Sequence, residues 1–277
     1  MKKTDLCALL EKIGVRPSRK MGQNFLIDAN LLASMVKSAT PVSGEHILEI
    51  GPGTGQMTQL LLDAGVQLQG VELDHRLAAY LRDKFKDNSA FQLLETDACK
   101  VDYDELMGRT PYRCIANLPY SCGSVFLAKI ARVENRPQEL FVLLQQEMGD
   151  RLVAEVGTKQ YSALGVRLAW FYKISIVRKI PPDVFFPSPE IYSVFLRLVL
   201  QDEIPSKEQA DCANHMVKLA FAQRRKMSFR LLCHEFDPEI IQSGFSEVGI
   251  PLDVRADHIS SKQYLQLAAF YLQHKNK

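Results

Sequence analysis

The sequence predicts an α/β fold with a mostly parallel, doubly wound sheet, followed by a smaller, all-helical domain. Two observations predict this class. Apolar runs of strand length alternate with amphipathic helical stretches between about residues 44 and 145, which is typical of a parallel sheet. Beyond residue 206 every periodic stretch has helical spacing. The polar segment 201–206 reads as a linker, so we predict one domain at 1–201 and a second at 202–277.

The first region begins with a short amphipathic helix within residues 1–20 and a helix at 29–38, for which Asp28 is the expected N-cap. The alternating strands are predicted at 44–50, 67–72, 91–95, 113–116 and 140–145. Helices are predicted from about Gln56, at 75–85 and at 124–131, with only a loop through Asp97 after the third strand.

After Gln145 the alternation stops. Helices are predicted at 147–155 and 162–170, and then two strands at 173–179 and 191–200 with only a Pro-rich loop between them. Two strands without an intervening helix indicate an antiparallel pair that closes the sheet. The C-terminal region is predicted to hold helices at 207–221, 226–233, 238–248 and 262–273.

The composition is that of a soluble globular protein, with 47% hydrophobic and 24% charged residues. A net charge of +2 neither demands nor excludes a nucleic-acid partner. The six cysteines include no C-x-x-C pair, which favours free thiols in a reducing compartment over disulfides or zinc. There is no bilayer-length apolar run and no secretory signal. We therefore expect a cytoplasmic protein that uses neither a metal nor a membrane.

A glycine-rich turn, Gly51-Pro52-Gly53-Thr54-Gly55, joins a buried strand to a helix. Glycines at such a junction let the backbone approach a ligand closely. The spacing is G-x-G-x-G and an acid, Glu49, precedes it, which disfavours a pyrophosphate and favours a cationic ligand. S-adenosylmethionine, which carries a sulfonium and an amino group, meets that description.

Two further acids follow neighbouring strands. Glu72 ends the second strand, where an acidic residue commonly accepts hydrogen bonds from ribose hydroxyls. Asp97 follows the third strand and could accept from an adenine amino group. A single acid of this kind would usually be an exposed loop residue, but three at successive strand ends beside a glycine loop predict an S-adenosylmethionine site.

The tetrapeptide Asn117-Leu118-Pro119-Tyr120 follows the apolar run 114–116. On its own it fits a surface turn as well as it fits an amine clamp. With a methyl donor nearby, the Asn117 side-chain oxygen and the Leu118 carbonyl could accept the two protons of an aromatic amine. The nitrogen lone pair would then point at the donor, while Tyr120 stacks on the base.

Two other segments remain open between a functional and a structural role. Phe186, in the loop Phe185-Phe186-Pro187-Ser188-Pro189, fits either a second face for the base or ordinary packing at a strand end. Arg224, Arg225 and Lys226 fit either phosphate contacts or a solvated helix end. A further basic excess lies in the first twenty residues, at Lys2, Lys3, Lys12, Arg16, Arg19 and Lys20.

Taken together, these motifs resemble those of the ribosomal RNA adenine dimethyltransferases, and most closely the bacterial members that dimethylate two adjacent adenosines near the 3′ end of small-subunit (16S) rRNA. The resemblance runs nearly end to end, through the segments 22–26, 49–55, 72–74, 117–120, 145–147, 186–189 and 221–226. It implies a Rossmann-like class I methyltransferase domain with a mostly parallel seven-stranded sheet, and a helical C-terminal domain that recognises RNA.

The resemblance also implies roles for individual residues. Those expected to contact S-adenosylmethionine are Asn24, Leu26, Gly51, Glu72, Asp97 and Asn117, and those expected to form the adenine pocket are Asn117, Leu118, Tyr120 and Phe186. Leu118 favours RNA over other substrates, because related DNA-adenine and protein-glutamine methyltransferases usually carry proline there. The sequence departs from the family at Cys122-Gly123-Ser124 and at Met227-Ser228-Phe229.

The expected function is therefore dimethylation of small-subunit rRNA within an assembling ribosomal subunit, by a monomeric enzyme. One alternative is a large-subunit (23S) rRNA adenine dimethyltransferase that confers antibiotic resistance. Another, from a different class, is a non-catalytic RNA-binding assembly factor. The intact Glu72, Asp97 and 117–120 segment favours an enzyme over the assembly factor.

Overall fold

A computed structural model describes residues 1–18 and 22–275 of the chain. Arg19 and Lys20 of the basic segment, and Met21 of the segment after it, lie outside the described residues. The strands are β1 (Phe25–Leu26), β2 (His46–Ile50), β3 (Gln67–Glu72), β4 (Phe91–Glu95), β5 (Tyr112–Asn117), β6 (Glu139–Gln145), β7 (Tyr172–Ile180), β8 (Phe185–Phe186) and β9 (Ser193–Leu200).

Helices occupy about half of the described residues outside the strands. They are α1 (Lys3–Lys12), α2 (Ala29–Ala39), α3 (Gln56–Asp63), α4 (His75–Lys84), α5 (Tyr103–Met107), α6 (Gly123–Ile130), α7 (Gln146–Leu152), α8 (Ala163–Leu168), α9 (Lys207–Ala222), α10 (Ser228–Leu232), α11 (Pro238–Val248) and α12 (Ser261–His274). Two short 3₁₀ turns lie at Pro182–Val184 and Ala256–His258.

The central sheet has seven strands in the order β4-β3-β2-β5-β6-β9-β7. Neighbours from β4 to β6 run parallel, and β9 pairs antiparallel with β6. The mostly parallel seven-stranded sheet that the sequence predicted is thus confirmed. Because β2, β3 and β5 are parallel neighbours, their carboxyl ends lie at one edge of the sheet, which is where open α/β sheets bind ligands.

Local sequence signals account for most element boundaries. Asp28 caps α2 as expected, since its carboxylate accepts a hydrogen bond from the Leu31 backbone N–H at 2.9 Å. The central strands are apolar because both sheet faces are covered, and Ile47, Leu48 and Ile115 are fully buried. The loop expected after Asp97 instead contains α5, a five-residue helix capped by Asp102 that is too short to show helical periodicity.

A second, two-stranded sheet pairs β1 with β8 antiparallel, and places Phe25 opposite Phe186 and Leu26 opposite Phe185. Two residues per strand leave no alternation to detect in the sequence. This pairing ties the segment that precedes α2 to the Pro-rich loop that precedes β9. It therefore joins two stretches that the sequence separates by 160 residues.

Contacts divide the chain into two units, Met1–Gly149 with Ser175–Leu200, and Asp150–Ile174 with Gln201–Lys277. The second unit takes in α8, which the sequence prediction placed with the first domain. Long-range hydrogen bonds within this unit explain why. The Tyr161 hydroxyl donates to the Ile259 carbonyl at 3.2 Å, and the Trp170 indole N–H donates to the Ser261 carbonyl at 2.9 Å.

Among the helices of residues 1–18 and 22–275, none combines the length and the apolar character needed to cross a bilayer. The same residues contain no cluster of three or more His, Cys, Asp or Glu side chains that could hold a metal ion.

Candidate active site

A cleft opens at the carboxyl edge of the parallel strands, entirely within the first unit. It is lined by Gly22, Gln23, Asn24, Phe25, Leu26, Leu32, Glu49, Gly51, Pro52, Gly53, Thr54, Gln56, Met57, Glu72, Leu77, Asn117, Leu118, Pro119 and Tyr120. The motifs at 22–26, 49–55, 72 and 117–120, which are distant in sequence, therefore meet at one place.

The glycine loop after β2 depends on backbone conformations that other residues rarely adopt. Gly51, Gly53 and Gly55 have φ values of +66°, +60° and +72°. A Cβ atom on Gly51 would lie 2.9 Å from Cγ of Pro119, which is too close for a real contact. The loop can therefore lie directly against the 117–120 segment only because glycine occupies this position.

Glu72 anchors the glycine loop from the end of β3. Its Oε2 accepts a hydrogen bond from the Gly53 backbone N–H and its Oε1 accepts one from the Asp74 backbone N–H, both at 3.0 Å. The residue is only 6% exposed. Burial raises the pKa of this carboxyl, and the two backbone hydrogen bonds oppose that rise. Each carboxylate oxygen retains a lone pair that can accept from a hydroxyl in the cleft.

Glu49 lies deeper, on β2, and is 2% exposed. Its Oε2 accepts a hydrogen bond from the Thr58 hydroxyl at 2.7 Å. Burial raises the pKa of Glu49 to about 8, and the nearby Glu72 charge adds to the rise, while Thr58 and Lys84 oppose it. A cationic ligand beside this carboxyl would offset the burial and favour its ionised form.

Asn117 ends β5 at the rim of the cleft and is half-buried. Its amide Nδ2 donates to the Asn24 backbone carbonyl at 3.3 Å, which orients the side chain. Within residues 1–18 and 22–275 no hydrogen bond is made to its Oδ1, so this oxygen is free to accept one. Leu118 buries its side chain to 1% exposure. The Pro119 carbonyl then accepts from the Cys122 and Gly123 backbone N–H groups and turns the chain into α6.

Tyr120 is held at two points. Its backbone N–H donates to the Gly22 carbonyl at 3.4 Å, and its hydroxyl lies 2.6 Å from the Ser193 Oγ. It also lines an adjoining opening, the outer cleft. This outer cleft shares Gly22, Gln23, Asn24 and Tyr120 with the cleft and adds Ser121, Gln145, Pro187, Ser188, Pro189, Glu190 and Ile191.

Asn24 and Leu26 enter the cleft from the segment that contains β1. The Leu26 side chain is 5% exposed, and its backbone carbonyl accepts a hydrogen bond from Gln56 Nε2 at 3.2 Å. Because Gln56 is the first residue of α3, this bond connects the segment to the helix that follows the glycine loop. Of the six residues predicted to bind the donor, five line the cleft together.

The sixth, Asp97, is not part of the lining of the cleft. Its Oδ1 accepts from the Cys99 backbone N–H at 2.9 Å. It lies near Cys122, whose pKa is raised to about 12, first by burial and then by the neighbouring Cys99 and Asp97. Its contact with a donor adenine stays a prediction.

Phe186 is likewise absent from the lining of the cleft and of the outer cleft. Its ring packs against a small apolar cluster that includes Leu6, Leu10 and Phe25, and the Lys3 ammonium lies 5.3 Å from the ring centre. These contacts agree with the structural alternative for Phe186, which is packing at a strand end. Its role as a second face for the base stays a prediction.

The three basic residues 224–226 lie in the second unit and differ from one another. The Arg224 guanidinium donates to the carbonyls of Lys159 and Thr158 at 2.7 and 2.9 Å, and to Asp257 Oδ2 at 3.1 Å. These bonds occupy it within the fold. Arg225 and Lys226 are exposed.

Three residues around the cleft were not predicted from the sequence. Thr58 hydrogen-bonds Glu49, Ser193 hydrogen-bonds Tyr120, and the Lys84 ammonium donates to the carbonyls of Thr54 and Gly55 at 3.2 and 3.1 Å. None of the three belongs to a sequence motif that by itself indicates a binding or catalytic role. Only the tertiary contacts reveal them.

Comparison with known proteins bears on the identity of this cleft. The family model described as "Ribosomal RNA adenine dimethylase" matches residues 15–273. A protein of Malacoplasma penetrans named "Ribosomal RNA small subunit methyltransferase A" is 34% identical over 250 residues, which cover 90% of each chain. A protein of the same name from Picosynechococcus is 31% identical over 264 residues, which cover 92% of this chain and 97% of its own.

Solved structures agree on the fold. A dimethyladenosine transferase from Plasmodium falciparum superposes with a TM-score of 0.75 at 20% identity, covering 90% of this chain and 98% of its own. The 23S rRNA methyltransferase ErmE gives a TM-score of 0.67 at 21% identity, covering 90% of this chain and 100% of its own. The family match, which spans both units, confirms the resemblance and the enzyme class predicted from the motifs: this chain belongs to the ribosomal RNA adenine dimethylase family.

Proposed function

We propose that this chain transfers methyl groups from S-adenosylmethionine to the N6 atoms of two adjacent adenosines near the 3′ end of small-subunit (16S) rRNA. The observation that carries the proposal is the Asn117 Oδ1. Its amide is oriented by the Asn24 carbonyl, the oxygen accepts no hydrogen bond from the described residues, and it stands beside the glycine loop that Glu72 holds. The curated relatives named as small-subunit rRNA methyltransferases support the choice of RNA.

The cleft fits S-adenosylmethionine by its chemistry. Two buried carboxyl groups, Glu49 and Glu72, suit a ligand that offers positive charge and hydroxyl donors. The absence of a Cβ at Gly51 lets the glycine loop lie directly against Pro119, so the loop and the 117–120 segment line one cleft. When bound, the donor supplies an electrophilic methyl group on its sulfonium. The residues proposed to hold it are Asn24, Leu26, Gly51, Glu72, Asp97 and Asn117.

The chain's own contribution to the reaction is mainly orientation. The lone pair of an aromatic amine is delocalised into its ring, so the nitrogen is a weak nucleophile. The Asn117 Oδ1 and the Leu118 carbonyl accept hydrogen bonds from the two N6–H groups and draw the nitrogen towards a tetrahedral geometry. Its lone pair then points out of the base plane towards the methyl group. As the N–C bond forms, the bond between the methyl carbon and the donor sulfur would break and leave neutral S-adenosylhomocysteine. The positive charge that develops on N6 is stabilised by the Asn117 and Leu118 oxygens, and N6 afterwards loses a proton to water.

Tyr120 supplies a face on which the adenine stacks, and Phe186 is proposed to contact the base from the other side. No nucleophilic side chain and no metal are needed for this transfer. The same pocket must accept N6-methyladenine for the second methylation, in which a single N6 proton remains for Asn117 or Leu118 to accept.

RNA is proposed to contact the helical region 202–277, which belongs to the second unit. Arg225 and Lys226 are exposed and available to phosphates, whereas Arg224 is engaged with Asp257 and two carbonyls. Replacing Arg225 and Lys226 with alanine should weaken rRNA binding and reduce its salt slope by about 1 per lost contact. Arg224→Ala should instead lower the melting temperature and leave the slope unchanged.

The function is tested with labelled S-adenosylmethionine and four substrates: small subunits that lack the modification, naked 16S rRNA, 23S rRNA and DNA. Mass spectrometry of nuclease digests then locates any dimethyladenosine. We expect it at two adjacent positions near the 3′ end of 16S rRNA, with assembling subunits the preferred substrate and the protein sedimenting as a monomer. Dimethyladenosine only in 23S rRNA would favour the antibiotic-resistance activity, and binding without transfer would favour an assembly factor.

A further inference from the structure

Ser193 is a polar residue in an unexpected place. It is the first residue of β9 and is 0% exposed, whereas its neighbour Tyr192 is 51% exposed. Its backbone is held in the sheet opposite Gln145 of β6. A hydroxyl that is fully removed from water costs free energy unless it is hydrogen-bonded. The bond that compensates this cost is the 2.6 Å contact with the hydroxyl of Tyr120.

That contact completes a two-point attachment of the Tyr120 side chain. The backbone end is set by the Gly22 carbonyl at 3.4 Å. Gly22 itself has φ +65°, and a Cβ there would lie 2.7 Å from the backbone nitrogens of Tyr120 and Ser121. The distal end is set by Ser193. These two contacts restrain the orientation of the phenol ring.

The bond to Ser193 also bears on the chemical role of the Tyr120 hydroxyl. One hydroxyl of the Tyr120–Ser193 pair donates and the other accepts, so Ser193 takes one hydrogen-bonding position of the phenol. Burial raises the pKa of Tyr120, while the Ser193 bond opposes that rise. The phenol is therefore neutral at physiological pH, and it acts as an anchor for the ring and not as a base.

We propose that Ser193 is a positioning residue for methyl transfer, which holds the Tyr120 ring at the angle at which a stacked adenine presents N6 to the Asn117 Oδ1. The proposal rests on the proposed function, since it concerns the same base pocket. It assigns no contact between Ser193 and any substrate: Ser193 is covered by the fold and works through Tyr120. A shift of the ring would move N6 relative to the methyl group, and such misplacement lowers the rate of transfer far more than it lowers binding.

The test uses variants that keep or remove this hydrogen bond. The side chains introduced by Ser193→Thr and Ser193→Val have nearly the same shape, but only threonine keeps a hydroxyl. Ser193→Ala and Tyr120→Phe each remove the bond from one side, and the double variant removes both partners. Tyr112→Phe is the matched control, because Tyr112 is also buried in the sheet and its hydroxyl makes no hydrogen bond within the described residues. For each, kcat and KM are measured on unmethylated small subunits, with melting temperature and donor affinity recorded alongside.

We expect Ser193→Ala, Ser193→Val and Tyr120→Phe each to lower kcat between roughly tenfold and a hundredfold, with KM changed much less. Ser193→Thr should retain most of the wild-type kcat, and Tyr112→Phe all of it. The double variant should be no slower than the slower single variant, because the two substitutions break one bond.

Three results overturn the proposal: a wild-type kcat in Ser193→Ala and Ser193→Val, equal rates for the threonine and valine variants, or single-variant losses that multiply in the double variant. If Ser193→Ala does not fold, Tyr120→Phe removes the same bond, and a wild-type kcat in that variant also overturns it. An inactive wild-type protein would instead contradict the proposed function, so the two failures are distinguishable.

Discussion

The two ends of the cleft are built differently. At the donor end, Glu49 and Glu72 are nearly inaccessible to water, and both carboxylates are already hydrogen-bonded to the fold. At the base end, Asn117 and Tyr120 are half-buried, and the Asn117 Oδ1 has no partner among the described residues. We propose that the donor end couples ligand binding to folding stability, whereas the Asn117 Oδ1 at the base end acts in transfer and contributes little to stability. Substitutions should separate the two ends by which quantity they change.

The largest expected effect is at the base end. Asn117→Ala removes the oxygen that accepts an N6 proton, and by analogy with the loss of one preorganised hydrogen bond it should lower kcat by about 10² to 10³. RNA binding and melting temperature should stay close to wild type, because among the described residues the Asn117 side chain makes one long hydrogen bond. Single-turnover transfer and filter binding measure these quantities. Retained kcat would remove Asn117 Oδ1 from the mechanism.

Gly51→Ala tests the boundary between the two ends, since this glycine touches Pro119. Gly44→Ala is its matched control: Gly44 also has positive φ, at +82°, but no atom lies within 4 Å of its Cβ position. Both variants should lose about 1–2 kcal/mol of stability to the left-handed conformation. Only Gly51→Ala should also weaken donor binding and transfer, by roughly tenfold or more, because Pro119 must move. Equal activities in the two variants would contradict this.

Glu49→Gln tests the electrostatics of the donor end. The pKa of Glu49 is raised from 4.5 to about 8 by burial, so between these values the folded protein binds more protons than the unfolded chain. The stability of the wild type should therefore fall relative to the variant as pH rises from 4.5 to 8, by at most about 1.4 kcal/mol per pH unit, and level off above that. Urea unfolding at a series of pH values measures the difference.

Glu45 provides a control of opposite sign. Burial alone would raise the pKa of Glu45, but the hydrogen bond and charge of Arg113 lower it. Its contribution is present above the unfolded pKa and is lost as pH falls through the folded value. Glu45→Gln should therefore destabilise at neutral pH, with the difference shrinking in acid. Parallel pH profiles for the two variants would show that burial does not control Glu49.

The smallest effect is expected at Lys84, whose ammonium donates to two carbonyls of the glycine loop. Lys84→Met keeps most of the aliphatic side chain but loses these bonds. It should weaken donor binding by about 1 kcal/mol, or roughly fivefold, while kcat at saturating donor stays unchanged. Calorimetric titration with S-adenosylhomocysteine measures the affinity. A fall in kcat without a change in affinity would place Lys84 at the base end of the comparison.

Much of the fold follows from local patterns. The strands β3 and β4 and the helix α11 have the bounds that periodicity predicts. The edge of the sheet that carries the cleft was predictable as well, because Glu49, Glu72 and Asn117 each lie at or near the end of a parallel strand, and such ends meet. The two-stranded β1–β8 sheet and α5 were not predicted, since two and five residues carry no measurable period.

Several contacts at the candidate site could not be predicted from the sequence, for a different reason. Ser193 lies 73 residues from Tyr120, and Lys84 lies 30 residues from Thr54, so no local pattern connects either pair. Arg224 belongs to a run of three cations that reads as one motif. In the fold it bonds Asp257, 33 residues away, while Arg225 stays exposed. Residue type alone cannot distinguish a cation that supports the fold from one that meets a ligand.

By itself, the sequence determined the order of strands and helices, the place of the glycine loop and the tetrapeptide that ends β5, because these depend on period, turn chemistry and short spacing. Only the tertiary structure decided which side chains support those motifs: Glu72 beneath the glycine loop, Asn24 beside Asn117 and Ser193 behind Tyr120. Such partners are selected by packing between distant segments, where burial makes each unpaired polar atom costly.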